Sequence, residues 1–180
     1  MINIKCRKIA SENDILELYK MMSSSEQYLF SIHLSFNTYV EFYDWLISHI
    51  NSDFHDFYVV TNASEDEKLI GFAYNYDFTL ESGHCKICVF VSELFRNLGL
   101  GSTAGIKFID ILFKKYPLQK IYSTIYSYNY DSLESNLKAG FSKEGNVKKY
   151  RYFNGNYYDL YYLSINREKF DTTLQKFVER

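Results

Sequence analysis

One segment constrains this chain more than any other. Between residues 85 and 115 an apolar run, Cys85 to Val91, gives way to a glycine-containing loop and then to an amphipathic stretch. In the first part apolar residues crowd together, as in a buried strand. In the second, Ile106, Ile109, Leu112 and Phe113 share one face, as in a helix from about Gly99 to Lys115. Pro117 ends it, and Ile121 to Tyr126 reads as the next strand. Strand, helix and strand in that order read as part of a mixed α/β sheet flanked by helices.

The flanking patterns fill in the rest. Ile2 to Ile9 alternates like a strand, and Ser11-x-x-Asp14 opens a helix that runs to about residue 22. Ser23-Ser24-Ser25 breaks it. From Phe36 to Ile50 the apolar residues Tyr39, Val40, Tyr43, Leu46, Ile47 and Ile50 recur at steps of three and four, a second helix. Phe57 to Val60 and Leu69 to Phe78 flank the polar turn Asn62 to Lys68, which predicts a hairpin. Asp131 to Ala139 reads as a helix with Gly140 at its C-cap. Ser142 to Phe153 and Tyr157 to Ile165 are strands joined through Asn154-Gly155-Asn156. Arg167 to Arg180 is a terminal helix. The order β-α-α-β-β-β-α-β-α-β-β predicts an α/β fold, a mixed sheet flanked by helices. Length, 180 residues, suits a single domain over 1–180.

Composition narrows the function classes. The net charge is -2 and the isoelectric point about 6.1, which gives no bulk attraction to nucleic acid or an anionic membrane. No uncharged apolar run is long enough for a membrane helix, and Met1 to Ala10 lacks a signal-peptide core. Cys6, Cys85 and Cys88 make an odd, sparse set, which favours a reducing, cytoplasmic location over a disulfide framework. Aromatic residues reach 19%, with 18 Tyr. Tyrosines can line a polar groove, although compositional bias is the simpler account.

The loop carries the chemistry. It reads Val89-Phe90-Val91-Ser92-Glu93-Leu94-Phe95-Arg96-Asn97-Leu98-Gly99-Leu100-Gly101-Ser102. Glycines allow a tight turn and close approach to a ligand. A helix start adds unpaired N–H groups and a positive dipole end, and together these cradle a diphosphate. Gly99-x-Gly101-x-x-Ala104 also fits a dinucleotide fingerprint, which leaves an NAD-linked oxidoreductase open. That reading wants an acidic residue near the end of the next strand, and none lies between Ile121 and Tyr130. No Lys-Ser or Lys-Thr follows the glycines, so the loop is not a Walker A loop.

Arg96-x-x-Gly99-x-Gly101 after a strand resembles the acyl-CoA loop of the GNAT superfamily of N-acetyltransferases. Downstream, Asn129-x-x-Ser132, Lys138-Ala139-Gly140-Phe141, Glu144-Gly145 and Asn154-Gly155-Asn156-Tyr157-Tyr158-Asp159 resemble the branch that acetylates ribosomal-protein N-termini, with polyamine and antibiotic acetyltransferases nearby. The resemblance implies a mostly antiparallel central sheet with one splayed parallel pair. It implies acetyl-CoA as co-substrate and a primary amine as acceptor, on a small molecule or a protein N-terminus. Backbone groups of Val89, Phe90 and Val91 would bond the pantetheine arm. Arg96, Asn97, Leu98, Gly99, Leu100, Gly101 and Ser102 would hold the pyrophosphate, with Asn129 and Asn136 on the far side. Many members carry a tyrosine where Asn136 stands, to reprotonate the departing thiolate. Asn136 has no acidic proton, so Ser132, or a water beside it, is the candidate for that role. His84, Glu81 and Glu93 are candidates for the base; some members carry a glutamate near the place of Arg151. A homodimer is plausible for this branch. A non-catalytic acyl-CoA-binding module on the same fold is the alternative.

Other constellations carry less. His84-Cys85-x-x-Cys88 hints at a metal, but neither Cys6 nor His33, His49 or His55 supplies a matching second pair. Lys143, Lys148, Lys149 and Arg151, interleaved with Tyr150 and Tyr152, read as a solvated strand face. Glu41 and Asp44, beside Tyr43 and Trp45, fit helix periodicity without a ligand.

Overall fold

The computed structural model describes residues 3–31, 34–63, 67–96 and 98–178. Among the described residues seven strands form one sheet: β1 Ile4–Arg7, β2 Phe57–Asn62, β3 Lys68–Thr79, β4 His84–Val91, β5 Lys120–Tyr126, β6 Ser142–Phe153 and β7 Asn156–Asn166. Five helices accompany them: α1 Glu12–Met22, α2 Tyr39–Ile50, α3 Leu100–Lys115, α4 Tyr130–Lys138 and α5 Arg167–Val178. A 3-10 turn, Ser25–Leu29, follows α1, and another, Glu93–Phe95, follows β4.

Across the sheet the strands run β1-β2-β3-β4-β5-β7-β6. All neighbours are antiparallel except β4 and β5. That parallel pair is brief: His84 faces Lys120, Cys85 faces Ile121 and Lys86 faces Tyr122, and there it stops. Beyond this point β3 still holds β4 as far as Val91, and β7 still holds β5 as far as Tyr126. Each strand follows its outer partner, and a wedge opens between them.

Two apolar layers cover the sheet. On one face Phe72, Tyr74 and Phe90 pack with Leu18, Met22, Phe42 and Leu46 of α1 and α2. On the other, Ala73, Cys85, Ile87, Ile121 and Leu163 pack with Phe108, Ile109 and Leu112 of α3 and Phe170 of α5. Strand β3 is therefore buried from Ile70 to Tyr74 without a polar break, as a strand covered on both faces must be.

Local chemistry sets the element ends. Ser11 Oγ accepts from the Asp14 amide at 3.2 Å and caps α1, the expected start signal. Thr38 Oγ1 does the same for Glu41, which starts α2 at Tyr39 rather than at Phe36. Asn154 and Gly155 both adopt positive φ, +46° and +83°. That two-residue turn puts Asn156 inside β7, one residue earlier than the alternation suggested. Strand β1 is shorter than expected; Ile9 lies outside it.

A buried carboxylate pins three parts of the chain. Asp56, 1% exposed, accepts from Lys8, from Lys115 at 2.8 Å and from the Tyr116 hydroxyl at 2.7 Å. Burial pushes its pKa up, but the two ammonium groups and the phenol outweigh that and hold it below the ordinary value.

Candidate active site

The wedge between β4 and β5 is a cavity of about 700 Å³. Its walls are Ile87–Val91 of β4, Ser123, Thr124 and Ile125 of β5, residues 28–31, the start of α3 and the length of α4. Its floor is a strand edge with no strand across from it. Backbone groups on such an edge bond water or a ligand.

At the mouth the chain turns through Gly99, which caps α3 at φ +74°. A side chain is strained in that conformation. Gly101 follows in the first turn, and a Cβ built at either glycine meets no protein atom within 4 Å. Both line the cavity, so what a side chain would fill there is the cavity itself. The first turn of α3 holds no acidic residue, and its leading amides have no intrahelical acceptor. The site thus fits an anionic, extended ligand such as the diphosphate and arm of CoA.

Arg96 plays a different part from its neighbours. Its Nε donates to Val91 O at 3.0 Å, and its guanidinium lies 2.5 Å from Glu26 and 5.3 Å from the Phe90 ring centre. The guanidinium braces the loop against the 3-10 turn after α1, and Arg96 also lines the cavity. Leu98 is exposed and Leu100 is buried with Ile4, Val60 and Ile70; neither side chain is part of the lining. Asn97 and His33 lie outside the described residues.

Across the cavity, α4 begins at Asn129. Its Oδ1 accepts from the Ser132 amide at 3.4 Å and its Nδ2 donates to Leu29 O at 3.2 Å. One amide thus caps the helix and ties residues 28–31 to it. Asn136 Nδ2 donates to Ser132 O at 2.9 Å. Ser132, Asn129 and Asn136 all line the cavity, together with Val89, Phe90, Val91, Arg96, Gly99, Gly101 and Ser102.

His84 does not. It sits at the closed end of the wedge, paired with Lys120 and edge-on to Tyr122 at 5.5 Å. Two further paired residues, Cys85 and Lys86, separate it from the point where β4 and β5 part, which is the physical reason it is remote from any ligand in the gap. Glu93, in the 3-10 turn after β4, and Glu81 are likewise absent from the lining. Cys85 packs under α3 while Cys88 packs on the opposite face, and burial pushes both thiols up to about 12. Neither ionises readily to a ligand or nucleophile.

Sequence reasoning missed the residues that close the wedge on its other side. Tyr28, Ser31, Thr124 and Tyr128 all line it. Thr124 Oγ1 donates to Ser31 Oγ at 2.8 Å, and Tyr128 donates to Tyr28 O. Alternation along β5 places Thr124 on the face opposite Ile121 and Ile125, and that signal was readable. Residues 28–31 show no periodicity that could have been read.

A sheet with one splayed parallel pair, a glycine-started helix at its mouth and an open strand edge within defines an acyl-CoA transferase of the GNAT type. The profile of the family described as "Acetyltransferase (GNAT) domain" matches residues 8–161, and the chain belongs to that family of N-acetyltransferases. It is 27% identical over 128 residues, 71% of each chain, to the SPbeta prophage-derived uncharacterized N-acetyltransferase YokL of Bacillus subtilis (strain 168). Its fold resembles spermidine N-acetyltransferase from Vibrio cholerae, solved in complex with CoA and spermine. The TM-score is 0.83 at 18% identity, covering 93% of this chain and 97% of that one. A chimera of that enzyme with hSSAT superposes at TM-score 0.81, again at 18% identity, over 93% and 97% of the two chains. Family and topology overturn the NAD reading: a doubly wound parallel sheet is needed there, and only β4 and β5 run parallel here. Among the described residues no helix is long and apolar enough to cross a membrane.

Proposed function

We propose that the protein moves the acetyl group of acetyl-CoA directly to a primary amine, without an acyl-enzyme. The observation that carries this reading is the wedge itself, an open strand edge running from the glycine-started mouth of α3 to the point where β4 and β5 meet. Amides of the segment 98–102 hold the diphosphate. Backbone groups of Val89 to Val91 align the pantetheine arm and polarise the acyl carbonyl. Acetyl-CoA supplies the activated acyl group: the amine nitrogen forms a C–N bond as the C–S bond breaks, and the sulfur leaves as thiol. Rate comes from holding two reactants in line in a narrow site.

Ser132 takes the role of proton donor to the departing sulfur, directly or through a water. Ser132 lines the cavity in the first turn of α4. Asn136, bonded to Ser132 O, positions that turn of helix. The acceptor class is a primary amine, on a small molecule such as a polyamine or on a protein N-terminus. The spermine of the Vibrio cholerae complex supports the first; the motif Asn129-x-x-Ser132 supports the second. The continuous sheet supports reading 1–180 as one acyltransferase domain.

Release of free thiol from acetyl-CoA in the presence of an amine panel, including spermidine and short peptides with free N-termini, tests the reading. Thiol release with at least one amine is the expected result. Tight CoA binding without thiol release from any amine would instead favour a non-catalytic binding module.

A further inference from the structure

On the side of the wedge away from α3, three hydroxyls stand in line. Tyr76 spans β4 from β3, and its phenol oxygen lies 3.4 Å from Thr124 Oγ1 on β5. Thr124 Oγ1 lies 2.8 Å from Ser31 Oγ. Ser31 and Thr124 line the cavity; Tyr76 does not. The three come from separate parts of the chain and meet just past Lys86 and Tyr122, the last pair before β4 and β5 part. A reacting amine stands near this point, and an alkyl amine such as a polyamine arrives there as an ammonium, since it holds its proton up to about pH 10. The candidate bases His84, Glu81 and Glu93 are all away from the lining, and the carboxylates that do line it, Asp131 and Glu134, belong to α4, on the far wall from β4.

We propose that Ser31, Thr124 and Tyr76 form the path by which the acceptor ammonium loses its proton, an inference that rests on the amine-acetylation reading above. The ammonium gives a proton to Ser31 Oγ. Ser31 passes its own hydroxyl proton to Thr124, Thr124 passes its own to Tyr76, and Tyr76 releases its own to water. Each hydroxyl ends with one proton, as it began, and the nitrogen keeps the electron pair that forms the C–N bond. Hydroxyls serve as donor and acceptor and rotate freely enough to reverse the line.

The surroundings favour a conduit over a store. Burial pushes the Tyr76 phenol up to about 12, so it relays a proton without becoming a standing anion. Cys88, on β4 beside it, is also held neutral by burial, and so is Tyr74 behind it. Lys86 lies 6.0 Å over the Tyr76 ring and is paired with exposed Asp77 at 2.9 Å. Arg151 of β6 stacks 4.7 Å from the neighbouring Tyr126 ring. Two cations near the line discourage a proton from resting there.

The test measures kcat/KM with an amine that the wild-type full chain acetylates, from about pH 6 to about pH 10. Thr124→Val keeps the shape and deletes the middle hydroxyl. It is expected to lose about 10²-fold at pH near 7, the low end of general-base effects. The loss is expected to shrink to about threefold at pH near 10, where the amine is neutral unaided. Thr124→Ser restores the neutral-pH rate, and Tyr76→Phe, which keeps the ring, reproduces the loss should Thr124→Val fold poorly. Wild-type rates in Thr124→Val, a loss that does not change with pH, or no rescue by Thr124→Ser would each overturn the path while leaving acetylation intact. A wild-type chain that releases thiol with no amine overturns acetylation itself, and the path falls with it.

Discussion

Asp56 has almost no exposed surface, yet it is ionised, because Lys8, Lys115 and Tyr116 all point at it. A carboxyl whose folded pKa lies below its unfolded value stabilises the fold above the unfolded pKa, about 3.9, and loses that contribution as pH falls through the folded value. Asp56→Asn is therefore expected to cost about 1–3 kcal/mol at neutral pH through its lost charged hydrogen bonds. The gap to wild type should narrow below about pH 4, as urea midpoints at the two pH values would show. Ser132 carries a prediction of another kind. Ser132→Ala is expected to lower kcat by about tenfold or more while CoA affinity holds, read by steady-state kinetics beside a binding isotherm. An unchanged kcat would remove Ser132 from the chemistry. Legibility differs between these two residues. Ser132 stood out because Asn129-x-x-Ser132 resembles a motif of a known family. Nothing near Asp56 in sequence points to Lys115 or Tyr116, some sixty residues on.

The start of α3 is the element on which function turns. Gly101→Val puts a branched side chain where no protein atom stands, in the path of the diphosphate as proposed above, so CoA binding is expected to fall below detection in a fold that stays intact by circular dichroism. Elsewhere caps decide the ends. Thr38→Ala removes the oxygen that accepts from the Glu41 amide and should cost about 1 kcal/mol, visible as a lower denaturant midpoint with unchanged slope. The helices were legible because side-chain periodicity is a property of local sequence. The two-residue turn at Asn154 and Gly155 was legible because few residues tolerate its backbone. The 3-10 turn Ser25–Leu29 was not: its place depends on Arg96 reaching Glu26 and on Asn129 reaching Leu29 O, contacts made across the wedge.

For the whole molecule, the wedge links binding to stability. A ligand that seats only in the folded gap should stabilise by about 2.7 kcal/mol at a hundredfold excess over Kd. For a chain of this size that is a rise in Tm of about 5–10 °C, with CoA and not with NAD. Equal shifts with both would contradict the assignment of the diphosphate to the α3 start. The element order, the glycine-started helix and the motif from Asn129 to Asp159 were all written in local sequence, since each depends on backbone preference or short spacing. The assembly in space of Ser31, Tyr76 and Thr124, the inward turn of Arg96 and the exclusion of His84 were settled only by the fold. They follow from where β4 and β5 stop pairing, and that point is set by the outer strands pulling each away, a balance of contacts that no single stretch of sequence contains.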